Sequence, residues 1–460
     1  MLPLFLTAAT VQTTAAAQPV PIRLHPENPR YFLFRGQPTV LISSAEHYGA
    51  VLNGAFDYVP YLKELHTKGL NLTRTFSGAY REVPGVFNIP NNTLAPTPED
   101  FIAPWPRSST PGAADGGNKF DLNQWNEAYF RRLKDFCKQA GAQRVIVEVV
   151  LFCPFYEDSL WDVSPMNARN NINGIGTMPR NEVYTLQNRE MRALHEKLTR
   201  KIVEELRDFD NVYYEICNEP YFGGVTLDWQ HHIADTITET EKAFPHKHLI
   251  AQNIANGSAK IENPHPAVSI FNFHYASPPD AVRINWNLNK PIAFDESGFK
   301  GTEDAVYRQQ AWEFLLAGGS IFDHLDYSFT AAHPDGTAPV VEPTPGGGSA
   351  TLRRQLKILK DFLTNFDFLK MAPDETTIQG GLPEGATAYC LAQPGTAYAI
   401  FVRGGNQASL ALSLPAGRYR AEWLNPRTGA IEKTEETEGG SVTLASPPYI
   451  EDIALRVKRI

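Results

Sequence analysis

Short, almost unbroken apolar runs alternate along most of this chain with longer stretches that are apolar only every third or fourth position. The runs fall at residues 39–44, 71–76, 144–152, 212–217, 248–252, 268–274, 291–295 and 320–327, and are rich in Val, Ile, Phe and Tyr. A near-continuous apolar run of that length predicts a strand covered on both faces, as in a parallel sheet. The intervening stretches at 56–68, 123–139, 186–209, 227–243, 279–288, 302–317 and 352–366 carry the helical period. Only the interval between the fifth and sixth strands is weakly patterned. Eight strand-then-helix repeats predict an α/β fold, a (β/α)8 TIM barrel over residues 19–370. Residues 22–36, around Pro26-Glu27-Asn28-Pro29, read as a hairpin closing the barrel floor. Two long segments rich in Pro, Gly and Asn, 78–117 and 154–180, follow the second and third strands and so belong over the mouth, where loops of this length serve function.

From Met371 the helical period stops. Short alternating strands at 389–392, 397–402, 409–414, 417–423, 441–444 and 453–457, separated by Gly, Pro, Asn and Asp turns, predict a small all-β sandwich over residues 371–460. The junction Met371-Ala372-Pro373-Asp374 leaves little linker, so this domain is expected to be a fixed structural partner of the barrel.

Two of the apolar runs end in a glutamate. Val212-Tyr213-Tyr214-Glu215-Ile216-Cys217-Asn218-Glu219-Pro220 closes the fourth strand, and Ile292-Ala293-Phe294-Asp295-Glu296 the seventh. A carboxylate at the C-terminal end of a barrel strand leaves the apolar interior and faces the mouth, where barrel enzymes keep their reacting groups. Two facing carboxyls suit cleavage of a glycosidic bond, one as proton donor and the other as nucleophile or base. Glu215 shares strand parity with Glu219 and Glu148 lies inside the third strand; both read as buried structural acids that need cationic partners.

Composition narrows the partners. A formal net charge of −9 over 460 residues argues against nucleic acid or an anionic membrane surface, which require clustered Lys and Arg. The 42% hydrophobic and 20% charged fractions are those of a globular chain. Cys137, Cys153, Cys217 and Cys390 are too few and scattered for a disulfide framework, and read as free buried thiols, with a Cys153–Cys217 bridge the one alternative. Residues 1–18 open with Leu2-Pro3-Leu4-Phe5-Leu6 and end Ala15-Ala16-Ala17-Gln18, which predicts a signal peptide or leader and a secreted or periplasmic location, although the basic start is missing. No later stretch approaches the ~20 apolar residues of a membrane span.

The Asn218-Glu219-Pro220 ending of the fourth strand, with Glu296 ending the seventh, resembles the clan A retaining glycoside hydrolases, of which glycoside hydrolase family 5 is the best-known member. The resemblance covers residues 22–366. It implies a retaining glycosidase with Glu219 as acid/base, protonated at the start, and Glu296 as ionised nucleophile, acting on a β-linked oligo- or polysaccharide with no metal or organic cofactor. It further implies that Asn218 binds the sugar 2-hydroxyl and Arg74 supports the nucleophile, and that His274 and Tyr275 serve sugar and nucleophile. Because successive strand residues face opposite sides, only a bend after His274 brings both to the site. His47 and Tyr48 after the first strand, and Asp323, His324 and Asp326 on the eighth, are further candidates for the mouth. The clan's tryptophan at the end of the eighth strand is absent from Phe322-Asp323-His324-Leu325-Asp326-Tyr327-Ser328-Phe329, which leaves Tyr327 or Phe329 as the sugar platform. The small domain, through Trp423-Leu424-Asn425-Pro426-Arg427-Thr428-Gly429, is similar to that of apiosidase-like bacterial hydrolases; Trp423 reads as core in preference to a sugar platform. The rival functions are a glycan-binding barrel without activity, against which the two glutamates speak, and a metal-dependent hydrolase, which would want paired His ligands where Ser44-Ala45-Glu46-His47 has one, and which lacks an HExxH.

Overall fold

The computed structural model describes residues 20–460; the predicted leader at 1–18 lies outside them. Eight parallel strands, Leu41–Ile42, Leu72–Phe76, Ile146–Phe152, Val212–Cys217, Ile250–Asn256, Ile270–His274, Ile292–Ser297 and Ile321–His324, run around a barrel in chain order. The seam between the first two strands has no ladder of its own. Asn71 bridges it instead: its Oδ1 accepts from Ile42 N at 2.9 Å, its Nδ2 donates to Val40 O at 2.9 Å, and its own amide donates to Ile42 O at 3.2 Å. Helices follow the strands on the outside. Between the fifth and sixth strands no helix occurs, which is why the sequence carries no helical period there.

The floor is an antiparallel sheet of three strands, Arg23–Leu24, Phe32–Phe34 and Gln37–Thr39, one more than the predicted hairpin. Ile22, Phe32 and Phe34 pack on the inward side chains at the lower ends of the strands, Leu72, Ile146, Tyr213, Ala251, Ile270, Ala293 and Ile321. With the bottom filled by apolar atoms, polar groups inside the barrel are confined to its upper half.

The long segments lie where expected but are not structureless. The first carries a two-stranded arm, Arg107–Pro111 with Asn118–Phe120, and the second a short helix, Asp158–Asp162. All four cysteines are buried free thiols, so the Cys153–Cys217 bridge does not form.

The C-terminal domain is all β. Its strands follow one hydrogen-bonded path, Ala372–Pro373, Thr387–Gln393, Ala397–Arg403, Asp452–Arg459, Ser409–Leu424 and Ile378–Gly380, with Ile431–Ala445 also paired to Ser409–Leu424. Residues 409–424 form one strand where the sequence predicts two, because the break at Pro415-Ala416-Gly417 shifts register without ending the pairing. Leu410, Leu412 and Leu414 before the break share a core with Tyr419, Ala421 and Trp423 after it. Trp423 is fully buried there, as core.

A second face of this sheet packs on the barrel: Leu391, Ala399, Phe401 and Ala454 join the barrel's own apolar cluster, and Phe401 stacks on Trp312 with ring centres 5.3 Å apart. Arg308, on the helix Asp304–Leu316, crosses the junction to Asp452 at 2.6 Å and Glu451 at 3.1 Å. Among the described residues no helix is long and apolar enough to cross a membrane.

Candidate active site

Arg74 occupies the centre of the upper barrel, fully buried, in the second barrel strand. Its Nε lies 3.3 Å from Glu148 Oε2, and its Nη2 meets Glu215 Oε2 and, at 3.5 Å, Asp295 Oδ2. From the same guanidinium, Nη2 donates to Asn218 Oδ1 at 3.0 Å and Nη1 to Glu296 Oε2 at 3.4 Å. Glu148 and Glu215 are thus the structural acids that their strand positions predict. One cation cannot neutralise four carboxylates. Burial, with the neighbouring acids, pushes Glu148 well above the ordinary carboxylate range and Asp295 up to about 7.

Glu219 and Glu296 stand above this layer. Tyr156 donates to Glu219 Oε2 at 2.7 Å and Tyr221 to Oε1 at 3.2 Å; Tyr275 donates to Glu296 Oε1 at 2.6 Å. His274 joins the two, its Nδ1 being 3.2 Å from Glu219 Oε1 and 3.5 Å from Glu296 Oε1. One carboxylate oxygen from each glutamate and one His274 nitrogen all lie within 4.8 Å of one another. Burial alone would raise the Glu296 pKa, but His274, Arg74 and the Tyr275 hydroxyl outweigh it and hold this carboxyl well below the usual range. Burial likewise opposes the charge on His274, yet Glu296 and Asp295, with Glu219, hold the imidazole well above its ordinary value.

A regular strand would send neighbouring side chains to opposite faces, and the chain breaks that rule three times here. Between the sixth and seventh strands the pairing slips, so that Phe273 faces Phe294 while His274 faces Glu296; the extra residue is Asp295. Asp295 can therefore turn inward to Arg74 while Glu296 remains at the mouth. Tyr275 sits at φ +50 and Glu219 at φ +37, in the left-handed region that side chains other than glycine rarely enter. These two turns bring Tyr275 beside His274 and Glu219 beside Asn218. Such strain costs on the order of 1–3 kcal/mol per residue and is found where surrounding contacts over-determine the geometry.

The mouth is a cavity of about 580 Å³ lined by both glutamates and by His47, Tyr48, Glu82, Tyr156, Asn218 and Tyr275, with Phe87, Phe222 and Phe299 towards the outside. Arg74 and His274 are fully buried beneath it and touch the carboxylates, and neither reaches the cavity wall. His47 lies on the wall with Nε2 3.2 Å from Glu82 Oε2. Tyr327 packs against His47, ring centres 5.8 Å apart, and is 7% exposed. Asp323 is fully buried, its Oδ1 accepting from Ala45 N at 3.2 Å, and the Arg74 cation and Asp295 act on its carboxyl. The other eighth-strand candidates turn away. Asp326 binds Arg353 at 2.6 Å and Ser44, His324 stacks on Tyr307 at 3.9 Å, and Phe329 is held between Tyr61 and the Arg353 guanidinium. Their apolar surroundings in sequence hid the outer-barrel partners that take them.

Tyr156, Tyr221, Glu82 and the aromatic rim were not anticipated. Tyr221 had a signal, since it is two residues past Glu219 on the same turn. Tyr156 follows the third strand by four residues, in Cys153-Pro154-Phe155-Tyr156, and Glu82 sits deep in a loop without periodicity.

The fold and the strand-end carboxylates define a (β/α)8 barrel with two strand-end glutamates at its mouth and an all-β C-terminal domain. A family profile described as a domain of unknown function, DUF6298, matches residues 96–258. No curated protein matches the chain. Among solved structures it is similar to a glycoside hydrolase family 5 protein from Bacteroides vulgatus, at 14% identity and TM-score 0.64, over 95% of this chain and 92% of that one. A structure named only as a glycoside hydrolase aligns at 15% identity and TM-score 0.62, over 96% and 97% of the two chains. The endo-1,4-β-mannanase of Rhizomucor miehei aligns at 12% identity and TM-score 0.51, over 75% of this chain and 100% of its own. At these identities the likeness is one of fold.

Proposed function

We propose that this protein is a retaining β-glycosidase of the clan A type, with Glu296 as nucleophile and Glu219 as acid/base, acting on an oligo- or polysaccharide. The observation that carries the reading is the shared contact of both glutamates with His274, which sets their nearest oxygens within 4.8 Å. Carboxyls about 5–5.5 Å apart suit direct attack by one on the anomeric carbon, whereas an inverting pair stands ~6.5–9.5 Å apart to admit a water. The sharing of the barrel-plus-sheet architecture with structures named glycoside hydrolases supports the same reading.

In this reading Glu296, kept ionised by His274, Arg74 and Tyr275, attacks the anomeric carbon while Glu219 delivers its proton to the leaving oxygen. Loss of that proton leaves a Glu219 carboxylate facing the donors Tyr156, Tyr221 and His274, which stabilise it until it takes a proton from the water that hydrolyses the intermediate. Asn218, fixed through its Oδ1 by Arg74 and donating through Nδ2 to the Tyr156 hydroxyl at 3.0 Å, lines the cavity as the residue that would meet the sugar 2-hydroxyl. Glu219, His274 and Glu296 could also meet at one ion, a use that the Arg74 cation 3.4 Å from Glu296 opposes by charge. Action on a polymer outside the cell agrees with the export expected from residues 1–18. The test is a proton NMR time course on a turned-over β-glycoside: the β-anomer is expected to appear first, and first appearance of the α-anomer would refute double displacement.

A further inference from the structure

The cavity holds a third carboxylate that the mechanism does not use. Glu82 lies on the loop after the second strand, 5% exposed, and lines the same cavity as Glu219 and Glu296. It is held on three sides: His47 Nε2 donates to Oε2 at 3.2 Å, Asn92 Nδ2 donates to the same oxygen, and Tyr80 donates to Oε1 at 3.1 Å. The loop itself is closed by the Glu82 amide on Leu94 O at 2.8 Å and by Asn92 Oδ1 accepting from Leu94 N at 2.9 Å. This carboxylate therefore cannot swing away from the cavity.

A carboxylate offers about four acceptor positions. Two on Oε2 are taken by His47 and Asn92 and one on Oε1 by Tyr80, which leaves one on Oε1 for a donor from outside. A sugar hydroxyl is such a donor. Lys300 is the only Lys or Arg among the lining residues and belongs to the exposed rim, so the inner wall carries three acids, Glu82, Glu219 and Glu296, with His47 as the one titratable base. Burial lowers the His47 pKa, but Glu82, with Glu296 and Glu46, raises it further, so that His47 and Glu82 persist as a polar pair fixed against the wall.

We infer that Glu82 is a specificity-determining residue: its free position on Oε1 accepts one hydroxyl of the bound sugar and, as an acceptor fixed in the wall, restricts the site to neutral sugars, excluding uronic acids. The inference rests on the glycosidase reading and refines it. A uronate placed against Glu82 would bring two carboxylates together in a partly dry cavity and set an acceptor against the one position on Oε1 that needs a donor.

The test compares kcat and KM for 4-nitrophenyl β-D-glucoside, β-D-galactoside and β-D-mannoside with those for the β-D-glucuronide and β-D-galacturonide. The wild type is expected to turn over at least one neutral glycoside about 100-fold more efficiently than either uronide, and Glu82→Gln to raise KM for that glycoside and narrow the ratio about tenfold. A wild type that accepts a uronide as well as its neutral counterpart, or a folded Glu82→Gln with an unchanged ratio, overturns the inference alone. Should Glu82→Gln not fold, Glu82→Asp retains the charge and withdraws it by one methylene; a raised KM with the discrimination kept supports the assignment, and unchanged constants overturn it. A wild type that turns over none of these glycosides and releases no reducing ends from mannan, β-glucan or xylan refutes the glycosidase reading itself, and this inference with it.

Discussion

Arg74 and Arg308 are both buried arginines that gather carboxylates, and they use them in opposite ways. Arg308, at the junction of barrel and C-terminal domain, meets Asp452 at 2.6 Å and Glu451 at 3.1 Å, and Glu451 is half-exposed, so one buried charge faces one buried partner. Arg74 faces four, Glu148, Glu215, Asp295 and Glu296, all buried. A balanced pair only fixes two surfaces together. An acid-rich cluster forces a division in which Glu148 and Asp295 are pushed towards the protonated state while Glu296, nearest His274 and Tyr275, is held ionised. An excess of acids over the Arg74 cation beneath the mouth is thus what separates this cluster from a clasp.

The largest effect that can break this contrast is on turnover. Glu296→Ala is expected to lower kcat by ~10⁴–10⁶-fold with the fold intact, the scale seen when a catalytic nucleophile is removed. Glu219→Ala should lose ~10²–10⁴-fold on poor leaving groups but much less on 2,4-dinitrophenyl glycosides, and azide should rescue it with a β-glycosyl azide product. Unaltered rates in either variant would remove that glutamate from the mechanism. At the other arginine, Asp452→Asn should leave kcat unchanged.

Truncation at about Leu369 sharpens the same contrast from the structural side. It uncovers Trp312 where Phe401 now stacks and removes both acidic partners of Arg308, so the barrel alone should be poorly soluble or aggregate, while the isolated sheet domain should not be retained on a polysaccharide affinity gel. A soluble, fully stable barrel together with a retained domain would reverse the roles assigned to the two regions.

How much of this could be read from sequence follows from what each feature depends on. Strands covered on both faces announce themselves by apolar runs, so all eight were legible, and Glu219 and Glu296 were legible because a carboxylate ends such a run. The strand Ile431–Ala445 was mostly missed because its residues 431–437 are largely exposed and carry Lys, Thr and Glu in place of an apolar alternation. The slip that places Asp295 and Glu296 on different duties depends on pairing between strands, which no local pattern records. Tyr156 and Glu82 come from loops, where position is set by contacts made far along the chain, such as His47 with Glu82.

A smaller effect distinguishes the clasp. Breaking a buried ion pair by removing one partner costs ~3–5 kcal/mol, because the charge left behind is uncompensated. For Asp452→Asn the loss should fall at the low end, since Glu451 and Gln355 still meet Arg308, and it should appear as a lower denaturation midpoint with unchanged activity. A fall in kcat comparable to that of the mouth variants would mean that the two clusters are coupled through the helix Asp304–Leu316.

The finest test is one of pH, on Asp295. Its folded pKa is raised from the ordinary 3.8 to about 7, first by burial and then by Glu215 and Glu296, against the pull of Arg74 and His274. Between those values the native state keeps a proton that the unfolded chain has released, so the native form binds more protons and this group's contribution to stability falls as pH rises from about 4 to about 7. Above that window both states are ionised and the contribution is constant. Glu296 runs the other way: its depressed pKa adds stability above the ordinary carboxylate value, lost only as pH falls below the range where Asp295 titrates. Asp295→Asn removes the first slope and leaves the second. Melting temperatures from pH 4 to 8 should therefore decline less steeply in Asp295→Asn than in the wild type, with the two curves closest at the acid end. Parallel curves would mean that Asp295 is ionised throughout, and that the excess negative charge beneath the mouth is carried as charge and not as a held proton.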